Sequence, residues 1–378
     1  MMRVVVAGAL ANKPSQGGEA WVRLSWVLGL MDLGCEVHFA EQLSPGADAA
    51  WFEEIAADFG IAATLIGAHD TRELDAFAKD ADLLVNISGH LTYGPVFERV
   101  ARRAFVDIDP GFTQFWHAEG NAGARLEGHD VFFTIGENIG SPECPIPAGG
   151  IEWRKTRPPV VLAHWPVASG CAFEKFTTIA NWRGPFGPVE FDGVRYGLKV
   201  HEFRKVLALP RRAALPFEIA LNIHPGDAAD REALLEQGWR LTDPAAVAGT
   251  PRDFREFIRH SSAEFSVAQG IYSQTRSGWF SDRTAHYLAS GKPALVQETG
   301  GSVPAGEGLL TFQTLDEAAA GAADIAANYA RHCRAARALA EEFFDARQVL
   351  RRFLDDAFSS KPAAGNARGD AAPPLIHQ

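Results

Sequence analysis

The chain has 378 residues, 47% hydrophobic and 22% charged, with a formal net charge of −11. That length suits two domains with sizeable cores, and the acidic balance argues against broad nucleic-acid or anionic-membrane binding while leaving room for a local basic pocket. Cys35, Cys144, Cys171 and Cys333 are scattered with no CxxC and no zinc spacing, which predicts reduced thiols and a cytoplasmic chain.

Residues 3–9 read as a buried strand centred on Val4, Val5 and Val6. The apolar run is short, carries Gly8 and meets Asn12-Lys13-Pro14, so it fits a strand better than a leader peptide. No apolar run reaches the length of a membrane span. The loop 10–18 holds Asn12, Pro14, Ser15 and the pair Gly17-Gly18, a helix over 19–33 stops at Gly34, and 35–40 form a second strand. This βαβ opening lacks GxGxxG, so the usual dinucleotide fingerprint is absent. The alternation continues with helix 50–59, strand 62–66, helix 72–79, strand 82–87, helix 95–102 and strands 103–108, 129–135 and 158–164. Such alternation predicts an α/β fold with a mostly parallel, doubly wound sheet. Ligands then meet the carboxyl ends of the strands, which aligns residues 12–18, 88–90, 109–111 and 136–138 along one rim.

Residues 136–157 and 166–171 are rich in Gly and Pro and mark a domain boundary. A second alternating series follows, with strand 176–180, helix 197–209, strand 217–223 and helix 228–237. Trp239 opens a strand that runs into a loop at Asp243-Pro244, ahead of helix 251–260 and strand 264–267. After a last strand over 309–312, residues 314–357 are nearly all helix by period. Residues 359–378 are small, polar and Pro-rich, the composition of a disordered tail. The predicted organisation is 1–170, 171–335, a helix over 336–358 packing back toward the first domain, and the tail.

One stretch of the second series carries most of the chemistry. Residues 272–300 read as loop, helix, tight turn, buried strand, loop. Ser281 suits an N-cap and Asp282 the positive end of the helix dipole. Gly291 and Pro293 stop the helix. A Ser/Gly loop opening onto a helix N-terminus offers free N–H groups to an anion, and Arg276 adds a charge suited to phosphate. The bland alternative is an ordinary capped helix in a β-loop-α-β unit.

The segments Arg276-Ser-Gly-Trp-Phe-Ser-Asp-Arg-Thr and Leu-Ala-Ser-Gly-Lys-Pro-Ala-Leu-Val-Gln-Glu-Thr-Gly300 resemble the donor-binding stretch of GT-B nucleotide-sugar glycosyltransferases. Residues 308–318, 107–114 and 17–39 are similar to further pieces of that class. The resemblance implies two Rossmann-like domains facing a cleft, an acceptor-side first domain and a donor-side second domain. It implies a nucleoside diphosphate sugar as donor substrate, no separate cofactor, and a small-molecule or glycan acceptor. Gly278, Trp279, Phe280 and Ser281 would present backbone to the diphosphate, with Ser277 and Asp282 beside them. Arg183 resembles the family's basic residue near the phosphates, with Asn181 and Trp182 lining the cleft. Thr242 lies in the loop 241–244, where the base is met. Glu298 and Thr299 fall where sugar hydroxyls are read, and Gly17 and Gly18 would close over the donor. His286 stands where many retaining members carry a ribose-holding glutamate. The second strand's His38 is the nearest histidine to where inverting members carry their base, so no base carries over.

Glycosyl transfer needs a stabilised leaving diphosphate, an activated acceptor hydroxyl and exclusion of water. Arginine and a helix N-terminus meet the first need without a metal. Asp107-x-Asp109 has the letters of a metal motif, but Asp107 lies within a strand and reads as structural. Base candidates on the first-domain rim are Asp109, His90, His117 and Glu137, with Asp109 first because Asp-Pro-Gly turns sharply at a strand end. His224, after a strand in the second domain, either touches the donor or is structural. Trp279 is the indole best placed to wall a pocket, since Gly278 and Ser281 flank it. The activity expected is metal-independent glycosyl transfer. The alternatives are a sugar-nucleotide epimerase of the same architecture and a non-catalytic sugar-nucleotide-binding protein.

Overall fold

Val4, Val5, Val6 and Ala7 are fully buried, as a central strand of a parallel sheet covered by helices on both faces requires. Around that strand the chain folds as two parallel sheets, and the computed structural model describes residues 1–167, 172–184 and 186–359. The first domain runs β1 (Arg3–Ala7), α1 (Gly17–Asp32), β2 (Glu36–Gln42), α2 (Ala49–Asp58), β3 (Ala63–Ile66) and α3 (Arg72–Lys79). It continues through β4 (Leu83–Ile87), α4 (Gly94–Arg99), β5 (Arg103–Asp107), α5 (Phe112–Ala118), β6 (Val131–Thr134) and β7 (Trp153–Lys155). The second domain opens with β8 (Phe176–Asn181), the hairpin β9 (Val189–Phe191) and β10 (Val194–Tyr196), α6 (Lys199–Arg204) and α7 (Leu209–Ala213). Next come β11 (Phe217–Asn222), α8 (Ala228–Glu236), β12 (Trp239–Thr242), α9 (Pro244–Ala248), α10 (Pro251–Arg259) and β13 (Ala263–Ser266). The series closes with α11 (Gly270–Gln274), α12 (Asp282–Ala289), β14 (Ala294–Gln297), β15 (Leu309–Phe312), α13 (Leu315–Ala327), α14 (Tyr329–Phe343) and α15 (Ala346–Phe358).

The first sheet has the order β3-β2-β1-β4-β5-β6-β7 and the second β12-β11-β8-β13-β14-β15, all parallel. Each winding reverses beside its first strand, so the crevices lie at the carboxyl ends of β1/β4 and of β8/β13. One apolar cluster joins the two domains through Trp21 of α1, Trp165, Phe254 of α10 and Tyr287 of α12. The indole N–H of Trp21 donates to the Pro251 carbonyl at 2.8 Å. The C-terminal helices return across both domains. Arg337 of α14 donates to the carbonyls of Trp165 and Ala289, at 2.9 and 2.7 Å. Phe353 of α15 packs on Trp26 and Phe133, with centroids 4.9 and 4.3 Å away. Gly29 admits Leu350, whose Cδ1 would lie 2.5 Å from a β-carbon there.

Several expectations need correction. Residues 158–164 are not a strand: Val160 makes a single bridge to Asp345 and Leu162–His164 turn as a 3₁₀ helix. The edge is taken instead by Trp153–Lys155, paired with β6. The helix expected over 197–209 is two short helices, α6 and α7, preceded by the hairpin of β9 and β10. That hairpin turns at Asp192 and Gly193, both with positive φ (48° and 74°), so an Asp-Gly signal of the favoured hairpin type was present in the sequence. Residues 272–274, expected as loop, belong to the short helix α11. Cys35 and Cys144 carry free thiols, whereas Cys171, the 170/171 boundary and the tail from residue 360 lie outside the described residues. No described helix is long and apolar enough to cross a membrane.

Candidate functional site

The second-domain rim is organised by Arg283. From the first turn of α12 its Nε donates to Glu264 Oε1 at 2.6 Å, its Nη2 to Ser266 Oγ at 2.8 Å and its Nη1 to the Ile179 carbonyl at 2.6 Å. The guanidinium thus fastens β8 to β13 at the point where the winding reverses. Beside it Lys199 starts α6. Burial, together with the Arg283 charge, lowers its ammonium to about 7, and it has no hydrogen-bond or ion-pair partner among the described residues. A lysine in the first turn also opposes its helix dipole. Asp282 is raised to about 6, by burial and by Glu19. Ser281 sits at the N-cap without using its side chain as a cap, and Thr284 Oγ1 is buried without a partner.

Two cavities flank this charged centre. One, of about 230 Å³, lies between the start of α12 and the carboxyl ends of β13, β14 and β15, lined by Trp279, Phe280, Ser281, Thr284, Glu298 and Thr299 among others. The other, of about 300 Å³, lies at the ends of β11 and β12 and is lined by residues 221–223, Arg231 and residues 241–244. Thr242 Oγ1 there is buried and unpartnered.

The first-domain rim faces them. Buried Glu41, at the end of β2, accepts the backbone N–H groups of Leu10, Ala11 and Asn12 at 2.7, 2.7 and 2.9 Å and so shapes the loop before α1. Arg23 and Glu19, one turn apart on α1, form an ion pair, and Lys13 Nζ meets Glu19 at 2.9 Å. Burial works against the Glu19 charge, but Arg23 and Lys13 outweigh it and hold the carboxyl down to about 2. Asp109 accepts from the Tyr272 hydroxyl of the second domain at 3.0 Å. Burial raises its carboxyl, with Lys13, Glu19 and Arg23 close enough to be felt. Asp107 is buried and accepts from Thr113, Gln114 and Thr134 at 3.1, 2.8 and 2.7 Å. It holds the Asp-Pro-Gly turn and α5, the structural role its strand position suggests.

Other predicted residues lie elsewhere. His90 is a poor base: burial and the charges of Arg23 and Arg125 depress it to about 3, and its Nδ1 is taken by Arg125 at 3.2 Å. Glu137 is a strut to Arg157 Nε and the Ser302 N–H, at 2.7 and 2.8 Å. His117 meets the Gly149 carbonyl at 3.2 Å. Trp182 is 1% exposed and donates to Asp230 at 2.8 Å, so it is core rather than cleft wall. Arg183 forks onto Asp227 at 2.8 and 2.5 Å. Asn181 accepts from Asn222 at 3.0 Å, and His224 caps its own turn through Gly226. In the 276–279 loop the N–H groups of Gly278 and Trp279 are already taken by the Thr299 carbonyl and Ser277 Oγ, at 2.8 and 3.2 Å. Thr299 also donates to the Trp279 carbonyl at 2.6 Å, and Glu298 accepts the Gly300 N–H at 2.6 Å. Arg276 is exposed and does not line the cavity; its backbone carbonyl accepts from Asn138 at 2.7 Å. The N–H groups of the stretch left without backbone partners are therefore at the start of α12, not in the glycine loop before it. His286 stacks on Trp165 with centroids 4.3 Å apart and neither nitrogen bonded, so it is a core residue and reaches no ribose.

Gly17 and Gly18 do not close over an open gap. A β-carbon on Gly17 would lie 2.1 Å from the Thr250 carbonyl oxygen, and one on Gly18 would lie 2.9 Å from Phe254 Cε2. Gly17→Ala is therefore expected to destabilise the protein by about 1–3 kcal/mol through overpacking. Urea unfolding should show a lower midpoint; an unchanged midpoint would mean that α1 moves off this loop freely.

Lys13, Glu19, Arg23, Lys199 and Arg283 stand at these candidate rims and were given no role by sequence reasoning. The clue for the α1 pair was a charged i, i+4 couple inside an otherwise apolar helix. The clue for Lys199 was a cation at the wrong end of its helix.

No family model and no curated protein matches the chain. Solved structures do. An α-glucosyltransferase solved with UDP and a 13-mer DNA aligns at 12% identity over 95% of this chain and 100% of its own, with a TM-score of 0.62. A glycosyltransferase involved in avilamycin A biosynthesis aligns at 14% identity over 94% and 97%, TM-score 0.59. A glycosyltransferase from Rickettsia africae aligns at 11% over 94% and 97%, TM-score 0.57. The two doubly wound sheets, the crevices at their carboxyl ends and these neighbours agree: the chain has the GT-B fold of nucleotide-sugar glycosyltransferases.

Proposed function

We propose that the protein transfers a sugar from a nucleoside diphosphate sugar to an acceptor hydroxyl. The observation that supports this most is the convergence of unpartnered Lys199, Arg283 and the start of α12 between two cavities at the carboxyl edge of one sheet, beside the region where Asp109 meets the second domain. Along the strand order the sequence is cavity, cations, cavity, which fits base, diphosphate and sugar in turn. Thr242 and residues 241–244 would receive the base. Lys199 and the α12 N–H groups would receive the diphosphate, with Arg283 as a fixed charge behind them. Glu298 and Ser281 would line the sugar.

In this reading the bond from the anomeric carbon to the phosphate oxygen breaks as the acceptor oxygen bonds to that carbon. The charge left on the diphosphate is stabilised by cations that need no reorganisation. The acceptor proton goes to Asp109, whose raised basicity suits the task. Titration calorimetry with UDP, GDP, ADP and TDP is the first test, and their glucose conjugates follow. Because one structural neighbour was solved with UDP, UDP is the first probe. Binding of none of these would overturn the proposal; binding followed by acceptor-dependent loss of the sugar would support it.

A further inference from the structure

One cation of the first-domain rim has no part in that scheme. Arg125 is exposed and follows the turn Ala122–Ala124 with φ 55°, a left-handed conformation that side chains other than glycine adopt at a cost. The facing loop holds it there. Gly89 has φ 62°, and a β-carbon on it would lie 2.7 Å from Arg125 Cβ and 2.9 Å from the Arg125 carbonyl oxygen. Ser88, next to it, also has positive φ, at 53°. Two residues in an unfavourable conformation thus set the backbone of Arg125 against the loop that carries His90.

Arg125 Nη1 donates to His90 Nδ1 at 3.2 Å. The guanidinium has no acidic partner among the described residues, so most of its fork stays available. Lys13, Arg23 and Glu19 also act on His90, and Arg23 acts in turn on the carboxylates of Glu41, Asp109 and Asp282. Arg23 is 1% exposed, and its Nε is buried without an acceptor. Lys13, Arg23 and Glu19 act on Asp109 as well, so the His90–Arg125 pair and the proposed base share these charged neighbours.

We propose that the acceptor carries an anionic group, phosphate or carboxylate, which Arg125 grips on the first-domain rim while the hydroxyl to be glycosylated points toward Asp109. This rests on the glycosyltransferase reading. A guanidinium fork matches either anion with paired hydrogen bonds, and a lysine in its place would supply charge without that geometry.

Calorimetry at low ionic strength with glucose 6-phosphate, glucuronate and glucose tests the proposal. The wild-type protein is expected to bind at least one anionic sugar about ten-fold more tightly than glucose, the scale of a charge-assisted pair, and the better of the two identifies the anion. Arg125→Ala should abolish the preference and Arg125→Lys should keep part of it. Arg125→Gly, which relieves the positive φ, should abolish it without lowering the unfolding temperature. The proposal is overturned if neither anionic sugar is preferred, if the preference survives in Arg125→Ala and Arg125→Gly, or if Lys199→Met removes it instead, since the probe would then sit on the donor side. UDP titrated into the same samples reports separately on the glycosyltransferase reading. Absent UDP binding with an intact Arg125-dependent preference would sink that reading and leave the anion site standing.

Discussion

Replacing Lys199 by methionine should lower kcat/KM for glycosyl transfer by about 10²–10³-fold, the usual loss when one preorganised donor to a developing anion is removed. Methionine keeps the length and apolar body of the side chain, so the loss reports the charge. Lys199 carries a second signature. In the free protein burial and the Arg283 charge hold its ammonium at about 7, so near neutrality it is only partly protonated. A bound diphosphate favours the charged form and raises that value. Binding above pH 7 must then take up a proton, and affinity must fall as pH rises, by at most about ten-fold per unit for one coupled proton. Calorimetry in buffers of different ionisation enthalpy measures the uptake directly. Nucleotide binding with no proton uptake at pH 8, or Lys199→Met with wild-type affinity, would remove Lys199 from the site. The same shift acts on stability with the opposite sense. The folded value lies below the ordinary lysine value of 10.5, so the unfolded chain binds more protons between about 7 and 10.5. The Lys199 contribution therefore makes the ligand-free protein more stable as pH rises through that window.

Asp109→Asn should reduce kcat by about 10²–10⁴-fold, the range lost with a general base, while nucleotide affinity stays at the wild-type level. Asparagine can still accept the Tyr272 hydroxyl, now 3.0 Å from Asp109 Oδ1, so the contact between domains survives and only the basicity is lost. Tyr272→Phe is the complementary variant. It removes the hydrogen bond but leaves the carboxylate, and should cost far less rate. In the wild-type protein the rate should rise with pH as the elevated Asp109 carboxyl loses its proton, then fall as Lys199 loses its own. Asp109→Asn should remove the acid limb and Lys199→Met the alkaline limb. An Asp109→Asn enzyme that keeps the wild-type rate would exclude the role. An acid limb that persists in it would point to Asp282, itself raised to about 6.

The sequence by itself determined the architecture. Val4–Val6 and Leu83–Val85 lie in apolar runs too short for anything but buried strands, and each is fully buried. Glycine and proline stops fixed where helices ended, as at Gly291 (φ 69°) and Pro293 after α12. These features act within a few residues, so a single chain carries them. Part of the site was legible on the same terms: residues 279–281 and 298–299 line one cavity because strand ends and helix starts in this fold face a common edge.

What only the tertiary structure decided was which polar groups are free. Trp182 and Arg183 are neighbours after one strand, yet the first is sealed against Asp230 and the second lies exposed on Asp227. Gly278 looked like an open anion loop, but the strand end at Thr299 claims its N–H. Lys199 and Arg283 are 84 positions apart in sequence, on α6 and α12, and only the fold brings their charges within reach of each other. Sheet order brings these charges together, and desolvation at that junction sets their proton affinity; neither is a property of a local segment.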